Sequence, residues 1–289
     1  MSESLRIATC RPLPEPDVDE DLLLQALAAR GVTARMAAWS DPAEQWDAPV
    51  PTVVRSTWDY IHHLEAFRAW MRRTVAAAPL WNPADVMLGN LHKGYLVELA
   101  SRAVPVVPTM LRHRGDPEPL SGLTAARGWD KVVVKPAVGA GSHETHLVDD
   151  APGGAADALF ARLVQVQDML VQPYLSAVEG HGERALVFID GEFTHAVRKS
   201  PRFAGGVEQV SASLPISAAE RAVGEAALAP FRATLLYGRV DVAPGPDGRP
   251  VVMELELVEP SLFLLQEPRA LGRLADAITA RLARGGSRS

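Results

Sequence analysis

Thiol is nearly missing from this chain, with Cys10 the one cysteine among 289 residues. That excludes an intramolecular disulfide framework and a cysteine metal cluster, and makes a reducing cytoplasm the expected setting. Cys10 itself reads as a small buried residue rather than a nucleophile. Long apolar runs are also missing. Nothing approaches the roughly 18 to 20 uninterrupted apolar residues of a membrane span, so no membrane partner is expected. Met1 to Arg6 carries charge directly before the strand-like Leu5-Arg6-Ile7-Ala8, and secretion by a standard signal is not expected. There is no basic stripe either. The formal charge of −6 is spread along the chain, which argues against nucleic acid as a partner.

What remains is an ordinary globular balance, long enough for two or three compact units around a cleft. Several lysines and arginines sit in apolar or glycine-rich settings, where they would face a small anionic ligand. Strands are expected at Leu5–Cys10, Val32–Trp39 and Thr52–Arg55, with helices from Glu20 to Arg30, stopped by Gly31, and from His63 to Ala77. This alternation indicates a parallel sheet. A boundary falls near residue 85. A helix is expected to begin at Gly89 and end before Val104, followed by a short strand over Lys131–Lys135, a loop, a returning strand and a helix from about Gly154 to Gln167. From Met169 the apolar runs are dense and short, interrupted by an alanine-rich helix over Ala218–Leu236 and closed by one over Pro268–Arg284. The units are therefore 1–85, 86–168 and 169–289.

The chemistry concentrates late in the chain. Asp247-Gly248 signals a turn. A hairpin centred there sets Asp241 opposite Glu254 and Arg239 opposite Glu256, and the period of two projects all four side chains from one face. Val240, Val242, Met253, Leu255 and Leu257 form the other. Three carboxylates on an otherwise apolar ribbon resist desolvation, so a cation must sit among them. Magnesium meets that need with oxygen ligands; a solvated edge, with Arg239 neutralising two acids, meets it too.

A second element is Val132-Val-Val-Lys135-Pro-Ala-Val-Gly139-Ala-Gly141-Ser142. A lysine ending an apolar strand before a small-residue loop can hold phosphate while backbone N–H groups wrap its neighbours. The Walker order is absent, because here the lysine precedes the glycines. A turn after an edge lysine explains the string as well. His143 and His146 read as loop-surface residues, since they lack the spacing of a zinc site. In a third element, Gln172-Pro-Tyr174-Leu175 could offer backbone groups to a flat heterocycle, and Glu179 could accept two hydroxyls. Loops after parallel strands open the crevice of such sheets, which points to Cys10–Asp19 and Arg55–Tyr60 for substrate. Arg55 could grip a carboxylate, and Asp19 or Asp59 an ammonium. Helix capping by Asp19 and core packing by Trp58 account for the same residues.

Taken in order, Lys93, Lys135-Pro with its glycine loop, Gln172-Pro-Tyr-Leu, Gly-Glu-Arg184, Asp190-Gly-Glu, Arg239-Val-Asp241 and Glu254-Leu-Glu256 resemble the ATP-grasp superfamily over about residues 85 to 265. The strings Thr9 to Asp19, Arg55-Ser-Thr-Trp-Asp-Tyr60 and Glu259-Pro-Ser261-Leu-Phe look like the branch containing a D-cycloserine synthetase that cyclises O-ureido-D-serine. The resemblance implies an α/β ATP-grasp fold: a Rossmann-like parallel-sheet domain, a small lid lobe and a C-terminal α+β lobe, with nucleotide between the last two. It implies ATP and magnesium, two ions, as cofactors. Lys93, Lys135, Gly139, Gly141 and Ser142 would meet phosphates, Gln172, Tyr174 and Leu175 the adenine, Glu179 the ribose, and Asp241, Glu254 and Glu256 the metal. Arg184, Lys199 and Arg239 would steady the transferring group, and Ser261 joins Arg55, Asp19 and Asp59 on the substrate side. Glu256 departs from the commoner asparagine of that pattern.

The activity so implied is an ADP-producing ligase that makes a carbon–nitrogen bond on a small amino-acid-like substrate. An intermolecular amino-acid ligase, a small-molecule kinase and a nucleotide-sensing binding protein are the alternatives, and a homodimer stays open.

Overall fold

Strand β1 (Ser4–Thr9) lies between β2 (Thr33–Ala38) and β3 (Thr52–Val54), with β4 (Leu80–Trp81) beyond, all parallel in the order β2-β1-β3-β4. The computed structural model describes residues 4–141, 143–151, 153–200 and 209–286. Helices α1 (Glu20–Ala28) and α2 (Leu64–Ala77) return the chain between these strands. Gly31, at φ +74°, ends the first. This left-handed backbone is one that glycine adopts without steric cost.

Beyond β4 the expected single helix is two, α3 (Ala84–Asn90) and α4 (Tyr95–Ser101). The break has a local cause. His92 Nδ1 accepts the Gly94 N–H at 3.1 Å, and the Lys93 N–H donates to the Ala137 carbonyl at 2.6 Å, which takes both groups out of the helical ladder. Lys93 is thereby presented at a corner instead of on a helix face.

Next come β5 (Met110–Arg112), α5 (Leu120–Ala125), β6 (Val132–Pro136), β7 (His146–Val148), α6 (Gly154–Val164) and β8 (Met169–Pro173). The strands form an antiparallel sheet in the order β5-β8-β6-β7. Because β8 lies inside it, this sheet runs on past residue 168 to Pro173. After α7 (Ala177–His181), strands β9 (Glu183–Ile189), β10 (Glu192–Lys199), β11 (Tyr237–Pro244) and β12 (Pro250–Glu256) build a second antiparallel sheet, ordered β10-β9-β11-β12. Helix α8 (Ala218–Leu228) starts at a Ser217–Glu220 capping box and stops eight residues short of Leu236. Pro230 supplies a reason: it has no N–H to donate to the helical ladder, so the ladder stops there although Ala229 still has helical backbone. Helix α9 (Pro268–Gly286) closes the fold. None of the described helices is long and apolar enough to cross a membrane.

One core joins the first sheet to the last. Leu23 and Leu27 of α1 share it with Leu274 and Ile278 of α9, Val187 of β9 and Tyr237. The Tyr237 hydroxyl donates to the carbonyls of Val54, at 2.5 Å, and Val258, at 2.9 Å, in the buried interior. Tyr237→Phe would leave both carbonyls short of a donor at no change in shape. A loss of about 1–3 kcal/mol is expected in urea unfolding; no measurable loss would show that the hydroxyl does not tie these units together.

Candidate active site

Strands β11 and β12 pair with Arg239 opposite Glu256 and Asp241 opposite Glu254, the register expected from the Asp247-Gly248 turn. One residue further on the ladder slips, so that Val242 faces Val252 and Met253 is left over. A bulge of this kind inserts one residue and re-aims its side chain. Val252 therefore takes the core position expected of Met253, and Met253 turns to the wall of a cavity.

Asp241 is fully buried, and Asp241, Glu254 and Glu256 each offer an oxygen within 4.8 Å of the others. An all-oxygen set at this spacing suits magnesium. Cations crowd the same face. Arg239 donates from Nε to Asp241 Oδ1 at 2.9 Å and from Nη2 to Oδ2 at 3.1 Å, and also reaches Glu256. Lys199 pairs with Asp241 and, at 3.2 Å, with Glu183. Lys135 and Lys93 meet Glu254 at 2.8 and 3.4 Å. Arg239 thus neutralises two acids, as one reading of the ribbon required, yet three lysines share the task.

Burial opposes charge throughout this cluster. For Asp241 and Glu254 the adjacent cations outweigh it, Arg239 and Lys199 in the first case and Lys135 and Lys93 in the second, and both carboxyls are held below the usual range. For Glu256 burial prevails, assisted by Asp241 and Glu254, and its carboxyl is raised. Burial lowers Lys93 and Lys199, but the facing acids more than reverse this and keep both charged.

The face opens on a cavity of about 630 Å³ between the two antiparallel sheets. Val133, Lys135 and Gln172 line it from the central sheet, with Gln172 Nε2 donating to Thr109 Oγ1 at 2.9 Å. Tyr174 and Leu175 continue the wall. The Tyr174 hydroxyl donates to Glu179 at 2.5 Å, and Lys131 stands 4.3 Å from the centre of its ring. Gly139 and Gly141 border the opening; Ser142 lies outside the described residues. His143 was expected on the loop surface, but although exposed it lines the cavity, edge-on to His62 with 5.1 Å between ring centres.

The cycloserine biosynthesis protein DcsG of Streptomyces lavendulae is 32% identical to this chain over 286 residues, covering 92% of this chain and 94% of the relative. The chain belongs to the D-cycloserine synthetase family. The family model for the N-terminal domain of D-cycloserine synthetase DcsG matches residues 5–82. The crystal structure of D-cycloserine synthetase DcsG has a TM-score of 0.88 at 31% identity, covering 96% of this chain and 99% of that one. D-alanine–D-alanine ligase from Bacillus anthracis, complexed with ATP, has a TM-score of 0.66 at 12% identity over 98% of both chains, which shows the shared ATP-grasp fold. The protein is a ligase that forms carbon–nitrogen bonds.

Two groups of residues in this synthetase lie elsewhere than the sequence suggested. Arg184 was placed with Lys199 and Arg239, but it pairs in register with Val242, so it projects from the face opposite Asp241 and donates to the His181 carbonyl at 3.2 Å. Its neighbour Glu183 occupies the functional face and meets Lys199. The alternation of side chains, applied across from Asp241, would have selected Glu183. Asp19 and Arg55 are buried and do not line the cavity. Asp19 instead accepts the N–H groups of Leu264 and Leu265, both at 3.1 Å, and Arg55 stacks over Tyr237. Residues following a parallel strand can turn back into the core as readily as into the crevice, and here the chain does the former until Thr57.

From Trp58 it does the latter. Trp58, Asp59 and Tyr60 line the cavity together with Ser261 and with Glu259, which sequence reasoning left without a role. Asp59 accepts from Trp39 Nε1 at 2.6 Å. Burial, with Glu256 adding to it, pushes the Glu259 carboxyl up to about 8. The sequence signals for it were the Glu259-Pro-Ser261-Leu-Phe string and its place three residues after Glu256.

Proposed function

We propose that this synthetase cyclises O-ureido-D-serine to D-cycloserine, consuming ATP with magnesium and releasing ADP. The observation that carries the reading is the arrangement of Lys93, Lys135, Lys199 and Arg239 around the Asp241, Glu254 and Glu256 carboxylates at one end of the cavity, with the N-terminal loops facing them. The units expected at 1–85, 86–168 and 169–289 would serve as substrate domain, lid lobe and catalytic lobe, with β8, to Pro173, belonging to the lid lobe's sheet.

Gln172, Tyr174 and Leu175 would hold the adenine, Glu179 the ribose, and Lys93, Lys135 and the Gly139–Gly141 loop the phosphates. Asp241, Glu254 and Glu256 would hold magnesium, and with a triphosphate they supply enough oxygen for two ions, which neutralise phosphate charge when bound. The γ-phosphoryl group passes to a carboxylate oxygen of the substrate. The ureido nitrogen bonded to oxygen then attacks the acyl phosphate carbon and loses its proton, phosphate departs with the bonding electrons, and hydrolysis of the carbamoyl group left on that nitrogen, to carbon dioxide and ammonia, frees D-cycloserine. Arg239 and Lys199, buried and charged, are placed to stabilise the negative charge that develops. The glycine loop and His143 would exclude water from the activated carbonyl. Asp59 and Ser261 contact the substrate in this reading.

Mass spectrometry of a reaction with O-ureido-D-serine, run beside a panel of amino acids while ADP and AMP are followed, tests it. A cyclised product from one substrate with ADP is expected. A product that needs a second amino acid would indicate an intermolecular ligase, and a stable phosphorylated product a kinase.

A further inference from the structure

Glu259 follows β12 and lines the substrate end of the cavity. Its carbonyl accepts from Trp58 Nε1 at 3.0 Å, and Tyr60 lines the same cavity. Trp58, from the loop after β3, therefore fixes the Glu259 backbone from across the cavity.

Its carboxyl has no cation beside it among the described residues. Glu183, Glu254 and Glu256 each face a lysine or arginine. Among the described residues none forms an ion pair with Glu259; Lys93 and Arg239 act on it only from a distance. A half-buried carboxyl in this setting resists ionisation until a cation arrives to share the site.

We propose that the Glu259 carboxylate holds the α-ammonium of the substrate, and so selects amino acids over their des-amino counterparts. The inference rests on the reading of an amino-acid-like substrate given above. Covalent geometry supports the placement. In an α-amino acid the ammonium nitrogen is two bonds from the carboxyl carbon, so a carboxyl brought to the phosphates at Glu256 carries its ammonium along with it. Glu259 lines the same cavity as Glu256 and is near enough to feel its charge. Asp59 is the competing acid, but one of its oxygens is committed to Trp39.

The test is calorimetric titration of the full chain, saturated with magnesium and a non-hydrolysable ATP analogue, with O-ureido-D-serine and with 3-(ureidooxy)propanoate, which lacks the amine. Wild type is expected to prefer the amino compound by about 30-fold or more, the range of a hydrogen-bonded charge pair. Glu259→Gln should remove that preference while binding the des-amino compound and the nucleotide as wild type does, which also shows that it folds. Asp59→Asn should keep most of the preference. The proposal is overturned if wild type binds the two compounds equally or binds neither, if Glu259→Gln still discriminates, or if Asp59→Asn alone abolishes discrimination. Discrimination without D-cycloserine or ADP formation would instead sink the proposed reaction and leave the ammonium site standing.

Discussion

Asp241→Asn is expected to lower turnover by about 1000-fold or more, the scale of losing a central electrostatic group in a water-excluded site. The substitution changes little in shape. It removes the charge that Lys199 and the Arg239 guanidinium share, at a position with no solvent to replace it. Stability should fall as well. Breaking a buried ion pair costs about 3–5 kcal/mol, and the lower end applies because Lys199 keeps Glu183 and Arg239 keeps Glu256. The stability gap between wild type and variant should depend on pH with a definite sign. The folded-state pKa of Asp241 lies below its unfolded value, so its contribution is complete above the unfolded value and is lost as pH falls through the folded one. Urea unfolding of both proteins along an acid series should show the gap closing. ADP release at the wild-type rate by the variant would remove Asp241 from the catalytic account.

Asn82→Ala should be the most destabilising neutral substitution in the molecule, costing about 4 kcal/mol or more. Asn82 is fully buried at the end of the N-terminal sheet. Its Nδ2 donates to the carbonyls of Tyr237 and Leu257 at 2.9 and 2.8 Å, and its Oδ1 accepts the N–H groups of Leu236 and Tyr237 at 2.7 and 3.3 Å. Alanine leaves these backbone groups unpaired in a dry interior, at about 1–3 kcal/mol each when nothing replaces the bond. Against a total stability of about 5–15 kcal/mol this is a large fraction. The effect should reach the site, because the anchored residues stand two before Arg239 and one after Glu256. A melting temperature within a degree or two of wild type would show that water or a shifted strand takes over the bonds.

Most strands were legible because strand signals are local. Period-two alternation with one Asp-Gly turn placed Asp241 opposite Glu254 and Arg239 opposite Glu256, as observed. The slip at Val242 was not legible, since both registers keep apolar side chains in the core, and only packing against β9 and α8 decides between them. Pro230 was visible as a stop for α8, but the alanine-rich run before it and the apolar residues after it masked it. The split at Lys93 depends on the Ala137 carbonyl, which arrives from another lobe.

Within the site, the identities of the basic and acidic groups were plain, while their partners were not. Lys135 and Glu254 stand 119 residues apart, and Trp58 and Glu259 stand 201 apart. Sequence alone determined the ATP-grasp order of motifs and the inward face of β11 and β12, because both follow from neighbouring residues and the geometry of an extended chain. Tertiary structure decided that Arg184 turns away, that Asp19 and Arg55 sit behind the cavity, and that Glu259 faces it without a counter-ion among the described residues. Burial and charge pairing depend on which distant segments meet, and no local pattern along the chain encodes that.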